Sequence, residues 1–313
     1  MKLIPARLSV VQPSQKREFD IYIINETTPI LLLSKDSPLE KNSQILKNNS
    51  NRLIYIPSNQ LDSYKHLVSD KLDEIMEDKT LSTSSKMYAI YISLTSRLEM
   101  LMNEGNIAAA NIIFKGISHL IANTLNDTSS ISVFLSFIKN DIGNIAAHMF
   151  NVGTYATMLT KMLYPDISNI QLEKLAKGYF LHDVGMLKID KKIVSKKEKY
   201  TDDEYETIKK HPQLGVEILK NELKINDPNI IKIVLQHHER KDGSGYPNGI
   251  TDINRFAKMC AMCDIFDAIT SKREYKEDTP KTTFEALKEN KDFFVQEFGK
   301  DHYEAFVKCF KVQ

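Results

Sequence analysis

His237-His238-Glu239-Arg240-Lys241-Asp242-Gly243-Ser244-Gly245-Tyr246-Pro247-Asn248-Gly249-Ile250 follows a short apolar helical run, IIKIVLQ, and reads as a loop punctuated by three glycines. Glycine lets a backbone turn tightly and approach a ligand closely, so Gly243, Gly245 and Gly249 suit a loop that closes over something. Taken alone, His237-His238 could be a solvated helix end. Its meaning comes from what lies on either side.

Working outward, His211 sits in a helical stretch, DDEYETIKKHPQLGVEIL, and His182-Asp183 follow the apolar run Gly178-Tyr179-Phe180-Leu181. His148 lies further upstream in NIAAHMFNVGTYATML, and Asp264 lies downstream in KMCAMCDIFDAIT. Each signal is weak singly. Together, five histidines and two aspartates on separate helices are the donors that borderline divalent metals take. One zinc ion needs only three or four protein ligands, so this set fits two ions better than one. A carboxylate such as Asp183 can also bridge two metals, which imidazole cannot.

HDVGM, KKHPQLGVEIL, HHERKDGSGYPNGI and CDIFDAITSKREYK, in that order, resemble the HD-GYP family of the all-helical HD superfamily of metal phosphohydrolases. The resemblance runs from about Val133 to the GKDHYEAFVKCF segment near the C-terminus. By position it implies that His148, His182, Asp183 and Asp264 hold one metal. Asp183, His211, His237 and His238 would hold a second, with Asp183 bridging. It implies two divalent transition-metal ions, iron with manganese as the alternative. His182, Asp183 and Tyr246 become the catalytic residues, and Tyr246, Lys258, Arg273, Gly243 and Gly245 the substrate contacts.

The activity so implied is hydrolysis of cyclic di-GMP to pGpG, with further cleavage to GMP left open. The alternative is a catalytically weak or inactive domain that senses a cyclic dinucleotide or docks a signalling partner. Two departures bear on the choice. Met186 stands where the family usually has a lysine, which removes a positive charge beside the site. Asn144 stands where some members have a glutamate for a third metal, so two metals are expected.

The remaining sequence sets the frame. Its 313 residues carry 42 Lys and Arg against 41 Asp and Glu, so no global field favours a nucleic-acid polymer or an anionic membrane. No apolar run approaches the ~20 residues that span a bilayer. Three cysteines make no disulfide framework and fit a reducing cytoplasm, the expected location. Cys260 and Cys263 read as packing residues on the helix that presents Asp264.

Residues 1–80 read as a small α/β accessory module, a candidate for sensing or for docking a signalling protein, with a purely structural role as the alternative. Strand signals fall at Phe19 to Ile24, Ile30 to Leu33 and Arg52 to Ile56, and one helix is expected from Ser58 or Asn59 to Glu77. Residues 81–127 read as a helical linker and 128–313 as the phosphodiesterase domain. The fold class is mainly α, with a C-terminal all-helical HD bundle behind a small N-terminal α/β module.

Overall fold

The computed structural model of the protein describes residues 2–11, 17–35, 53–123, 125, 131, 134–137, 144–196, 198–271 and 282–310. The chain divides into two compact units, Met1–Arg97 and Leu98–Gln313.

The first unit carries a four-stranded sheet of β1 (Leu3–Arg7), β2 (Ile21–Asn25), β3 (Thr28–Leu33) and β4 (Leu53–Pro57), in the order β1-β4-β2-β3. Every pairing is antiparallel. The three strands read from sequence are present, within a residue or two of the expected ends. β1 was not expected, because Leu3–Arg7 contains a proline and no clean alternation. It runs at the edge of the sheet, where Pro5 removes no ladder bond that the strand needs.

The helix expected to Glu77 is two, α1 (Leu61–Asp70) and α2 (Leu72–Glu77). Lys71 leaves helical geometry at φ −103°, ψ 15°, and the break lets Leu72, Ile75 and Met76 turn inward. Phe19, Ile21, Ile54, Ile56 and Tyr64 are fully buried at this unit's centre, with the Phe19 and Tyr64 rings edge to face at 5.4 Å. α3 (Thr83–Glu104) follows.

The second unit is helical among the described residues: α4 (Ala109–Asn123), α5 (Ile145–Leu163), α6 (Asn169–Phe180), α7 (Lys191–Val194), α8 (Asp202–Ile208), α9 (His211–Asn221), α10 (Pro228–Gln236), α11 (Arg255–Thr270), α12 (Thr283–Glu289), α13 (Lys291–Phe298) and α14 (Lys300–Phe310). A 3-10 turn, Val184–Lys188, joins α6 to α7. α6 is the hub, packing on α4, α5 and α10, while α11 lies against α5 and α10.

The core holds an aromatic knot in which Tyr155, Phe266 and Phe306 meet edge to face at 5.0 to 6.2 Å. Cys260 and Cys263 are buried in the same cluster, and burial holds both thiols well above their ordinary range. They are inert packing groups. Val133 and the start of the expected domain at residue 128 lie outside the described residues.

Candidate metal centre

Helix ends bring the donors together. Asn144 caps α5 by accepting from the backbone N–H groups of Ala146 and Ala147 at 3.0 and 3.3 Å, which sets His148 in the first full turn. His182 and Asp183 lie just past α6, His211 opens α9, His237 and His238 lie just past α10, and Asp264 is in α11. Gly185 sits so close to the carbonyl of His211 that a Cβ there would fall on it, which locks the 3-10 turn onto α9.

All seven donors meet. Their ligand atoms fall into two groups, Asp183 with His211, His237 and His238, and His148 with His182 and Asp264. Within each group the atoms lie within 4.8 Å of one another. Asp183 stands between the groups. Its Oδ1 is 3.1 Å from His211 Nε2 and 3.5 Å from His237 Nε2, while its Oδ2 is 3.5 Å from both His148 Nε2 and His182 Nε2. Asp264 Oδ1 lies 3.3 Å from His148 Nε2, and its Oδ2 lies 3.8 Å from His238 Nδ1. Among the described residues of the N-terminal unit no comparable group of His, Cys, Asp or Glu gathers.

Whether these residues suit a metal can be judged from their nitrogens. His182, His211 and His237 each donate Nδ1–H to the backbone carbonyl three residues back, of Tyr179, Ile208 and Val234, at 2.8 to 2.9 Å. In a neutral imidazole so anchored, Nε2 carries a lone pair and no hydrogen. The Nε2 atoms of His211 and His237 nevertheless lie 3.2 Å apart. Two lone pairs at that distance repel unless a cation or proton lies between them. The donor set therefore fits a divalent metal site.

Electrostatics agree. Burial pushes His182 down to about 4, partly offset by Asp183, and holds His238 well below the ordinary histidine range. Both are thus neutral imidazoles near pH 7, the form that binds metal. Burial opposes ionisation of Asp183, but the histidines around it more than reverse this and keep it a carboxylate. Asp264 is likewise held low by His148 against burial. His148 alone is held well above its usual range, because Asp264 and Asp267 outweigh its burial.

Asp267 was missed in the sequence. Its Oδ2 accepts from His148 Nδ1 at 2.8 Å and from Ser271 Oγ at 3.2 Å, and its Oδ1 accepts from Asn151 Nδ2 at 2.8 Å. This carboxylate fixes the ring of His148 and turns its Nε2 toward Asp183 and Asp264. The available signal was spacing: Asp267 follows Asp264 by one helical turn, as Asn151 follows His148.

The glycine-rich loop is held from within. Glu239, 1% exposed, accepts from the backbone N–H groups of Asn248 at 2.8 Å and Ile250 at 3.1 Å. Asp242 accepts from the backbone and hydroxyl of Ser244. Gly243 and Gly249 have φ of 79° and 63°, and a Cβ on Gly245 would fall on Arg240 N, Glu239 Cα and His238 O. The Tyr246 ring stacks on His238 at 4.6 Å and meets His211 edge on at 6.3 Å. Burial and then Asp183 push its phenol up, so it remains a donor.

The other expected contacts are less central. Lys258 is half-buried six residues ahead of Asp264 on α11, with its charge acting on His302. Arg273 lies outside the described residues. Met186 is half-buried in the 3-10 turn, and Lys188 points away to an ion pair with Glu222 at 2.9 Å.

A family model described as HD domain matches residues 109–294. The chain belongs to the HD domain family. Its HD-GYP character, carried by HHERKDGSGYP, agrees with the relatives. The chain is 32% identical over 163 residues to a cyclic di-GMP phosphodiesterase of Pseudomonas aeruginosa, a match covering 50% of this chain and 39% of that protein. It is 37% identical over 136 residues to a cyclic di-GMP phosphodiesterase of Thermotoga maritima, covering 42% and 36%. A 3'3'-cGAMP-specific phosphodiesterase of Vibrio cholerae is 28% identical over 197 residues, covering 62% and 37%.

The chain thus spans well under two thirds of these relatives' lengths. Among solved structures it resembles an HDG"Y"P protein from Bdellovibrio bacteriovorus, with a TM-score of 0.65 and 20% identity over 99% of this chain and 100% of that one. That likeness concerns the fold. The HD-domain match begins at residue 109, ahead of Val133, and α4 explains why. In the HD unit α4 packs on α6, where Ser118 Oγ donates to Glu173 at 2.8 Å and Lys177 covers the Phe114 ring at 4.6 Å. No helix among the described residues is long and apolar enough to cross a membrane.

Proposed function

We propose that this chain is a metal-dependent phosphodiesterase that opens cyclic di-GMP to pGpG, with GMP as the product of a second cleavage. The observation that carries the reading is the division of Asp183's two oxygens between two groups of donors, beside a protonated Tyr246. Two divalent transition-metal ions, iron or alternatively manganese, suit that set. His148, His182 and Asp264 would hold one, His211, His237 and His238 the other, and Asp183 both. When bound, such a pair neutralises phosphodiester charge and makes water nucleophilic near neutral pH.

The chain's own part is positioning. Asp267 and the three backbone carbonyls fix which nitrogen each ring offers. Glu239 holds the loop so that the Tyr246 hydroxyl can donate to a phosphate oxygen, and Lys258 adds a cation on α11. The relatives' names favour a cyclic dinucleotide as substrate. The test is anaerobic loading with iron or manganese, followed by incubation with cyclic di-GMP or 3'3'-cGAMP and chromatography of products. Linear dinucleotide or mononucleotide supports the reading, and the faster substrate names the ring. Tight binding without turnover by either the wild type or Met186→Lys would instead favour the sensor.

A further inference from the structure

A single exposed aromatic residue needs no explanation in itself. Tyr205 is singular for where it stands. It is 45% exposed on α8, one turn before Ile208, whose carbonyl holds the Nδ1–H of His211 at 2.8 Å. His211 in turn meets the Tyr246 ring edge on.

The side chain is presented firmly. α8 begins with a capping box, in which Glu204 N donates to Thr201 Oγ1 at 3.3 Å and Thr201 N donates to Glu204 at 2.7 Å. Lys196 anchors Glu204 at 2.6 Å. The ammonium of Lys209 lies 4.9 Å over the Tyr205 ring and is held there by Glu206 at 2.6 Å. An aromatic plane beside a fixed cation at the rim of a phosphodiester site is what a nucleobase stacks on.

We infer that Tyr205 is a stacking platform for one purine base of the cyclic dinucleotide, placed so that the phosphodiester reaches Tyr246 and the metal donors. This rests on the proposed function and adds to it a residue that recognises the base rather than the phosphate. Stacking of this kind holds substrate and transition state alike, so its loss appears in KM and spares kcat.

The test compares wild type, Tyr205→Phe and Tyr205→Ala, all metal-loaded, with cyclic di-GMP in turnover. Binding is followed with an analogue carrying 2-aminopurine in place of one guanine. Tyr205→Ala is expected to raise KM roughly tenfold, about 1.4 kcal/mol, with kcat within about twofold. It should also lose the fluorescence quenching that stacking gives. Tyr205→Phe should match wild type in both. Should alanine unsettle the short helix, Tyr205→Leu keeps bulk, removes the ring, and gives the same reading.

Wild-type KM and quenching in Tyr205→Ala overturn the platform. So does a fall in kcat or metal content in that variant, which would mean a structural role. In both cases wild-type turnover leaves the proposed function standing. A wild type that neither binds nor cleaves a cyclic dinucleotide removes both.

Discussion

At the scale of single residues, Asp183 and Asp267 divide the work. Asp183 offers one oxygen to each donor group, so Asp183→Ala should leave the protein with almost no metal. His211→Ala removes one terminal imidazole and should weaken mainly one ion. Elemental analysis of the two variants beside wild type checks this, and equal metal content in all three would refute the assignment. Asp267 touches no ion in this scheme, yet it fixes the ring of His148. Asp267→Ala is expected to cost about 10–100-fold in metal affinity or activity, measured by competition with a chromogenic chelator. The seven candidate donors were legible because histidine and aspartate stand out in a sequence and fall in a family order. Asp267 was not, because a buried carboxylate one turn from a donor looks the same whether it binds metal, a histidine or a lysine.

At the scale of elements, the glycine-rich loop shows how a local rule becomes a site. Gly245 has no room for a side chain, since a Cβ there would fall on backbone from His238, Glu239 and Arg240. Gly245→Ala must therefore move the backbone that carries His238. An overpacked position costs about 1–3 kcal/mol, so a urea melt should show a loss of that order together with reduced metal retention. A wild-type melt and full metal content would show that the loop yields elsewhere. Sequence reading found this loop and the helices around it because apolar periodicity, caps and glycines each have a local signature. It missed β1, whose residues make sense only opposite β4, from Leu3 against Pro57 to Arg7 against Leu53. It also ran α1 and α2 together, because the break at Lys71 answers to burial of Leu72 and Ile75 rather than to a breaker residue.

At the scale of the whole chain, the candidate metal donors come from one unit, and among the described residues the other unit has no such cluster. Removing metal should therefore act on one unit alone. A ligand present at a hundred times its Kd adds about 2.7 kcal/mol to the state that binds it. Calorimetry after chelation should lower the unfolding transition of the HD unit and leave that of the N-terminal unit in place. Equal shifts in both, or in neither, would contradict this. The three histidines anchored to the carbonyls of Tyr179, Ile208 and Val234 carry a last consequence. Each ring takes its orientation from a reference point three residues behind it, so the centre is written in short phrases of chain rather than in overall length. Residues gained or lost between α7 and α8, or between α9 and α10, leave every phrase intact. One residue inserted between Tyr179 and His182 scrambles a phrase outright. Lineages of this chain should accordingly vary in length at those connections and stay fixed in length across these three turns.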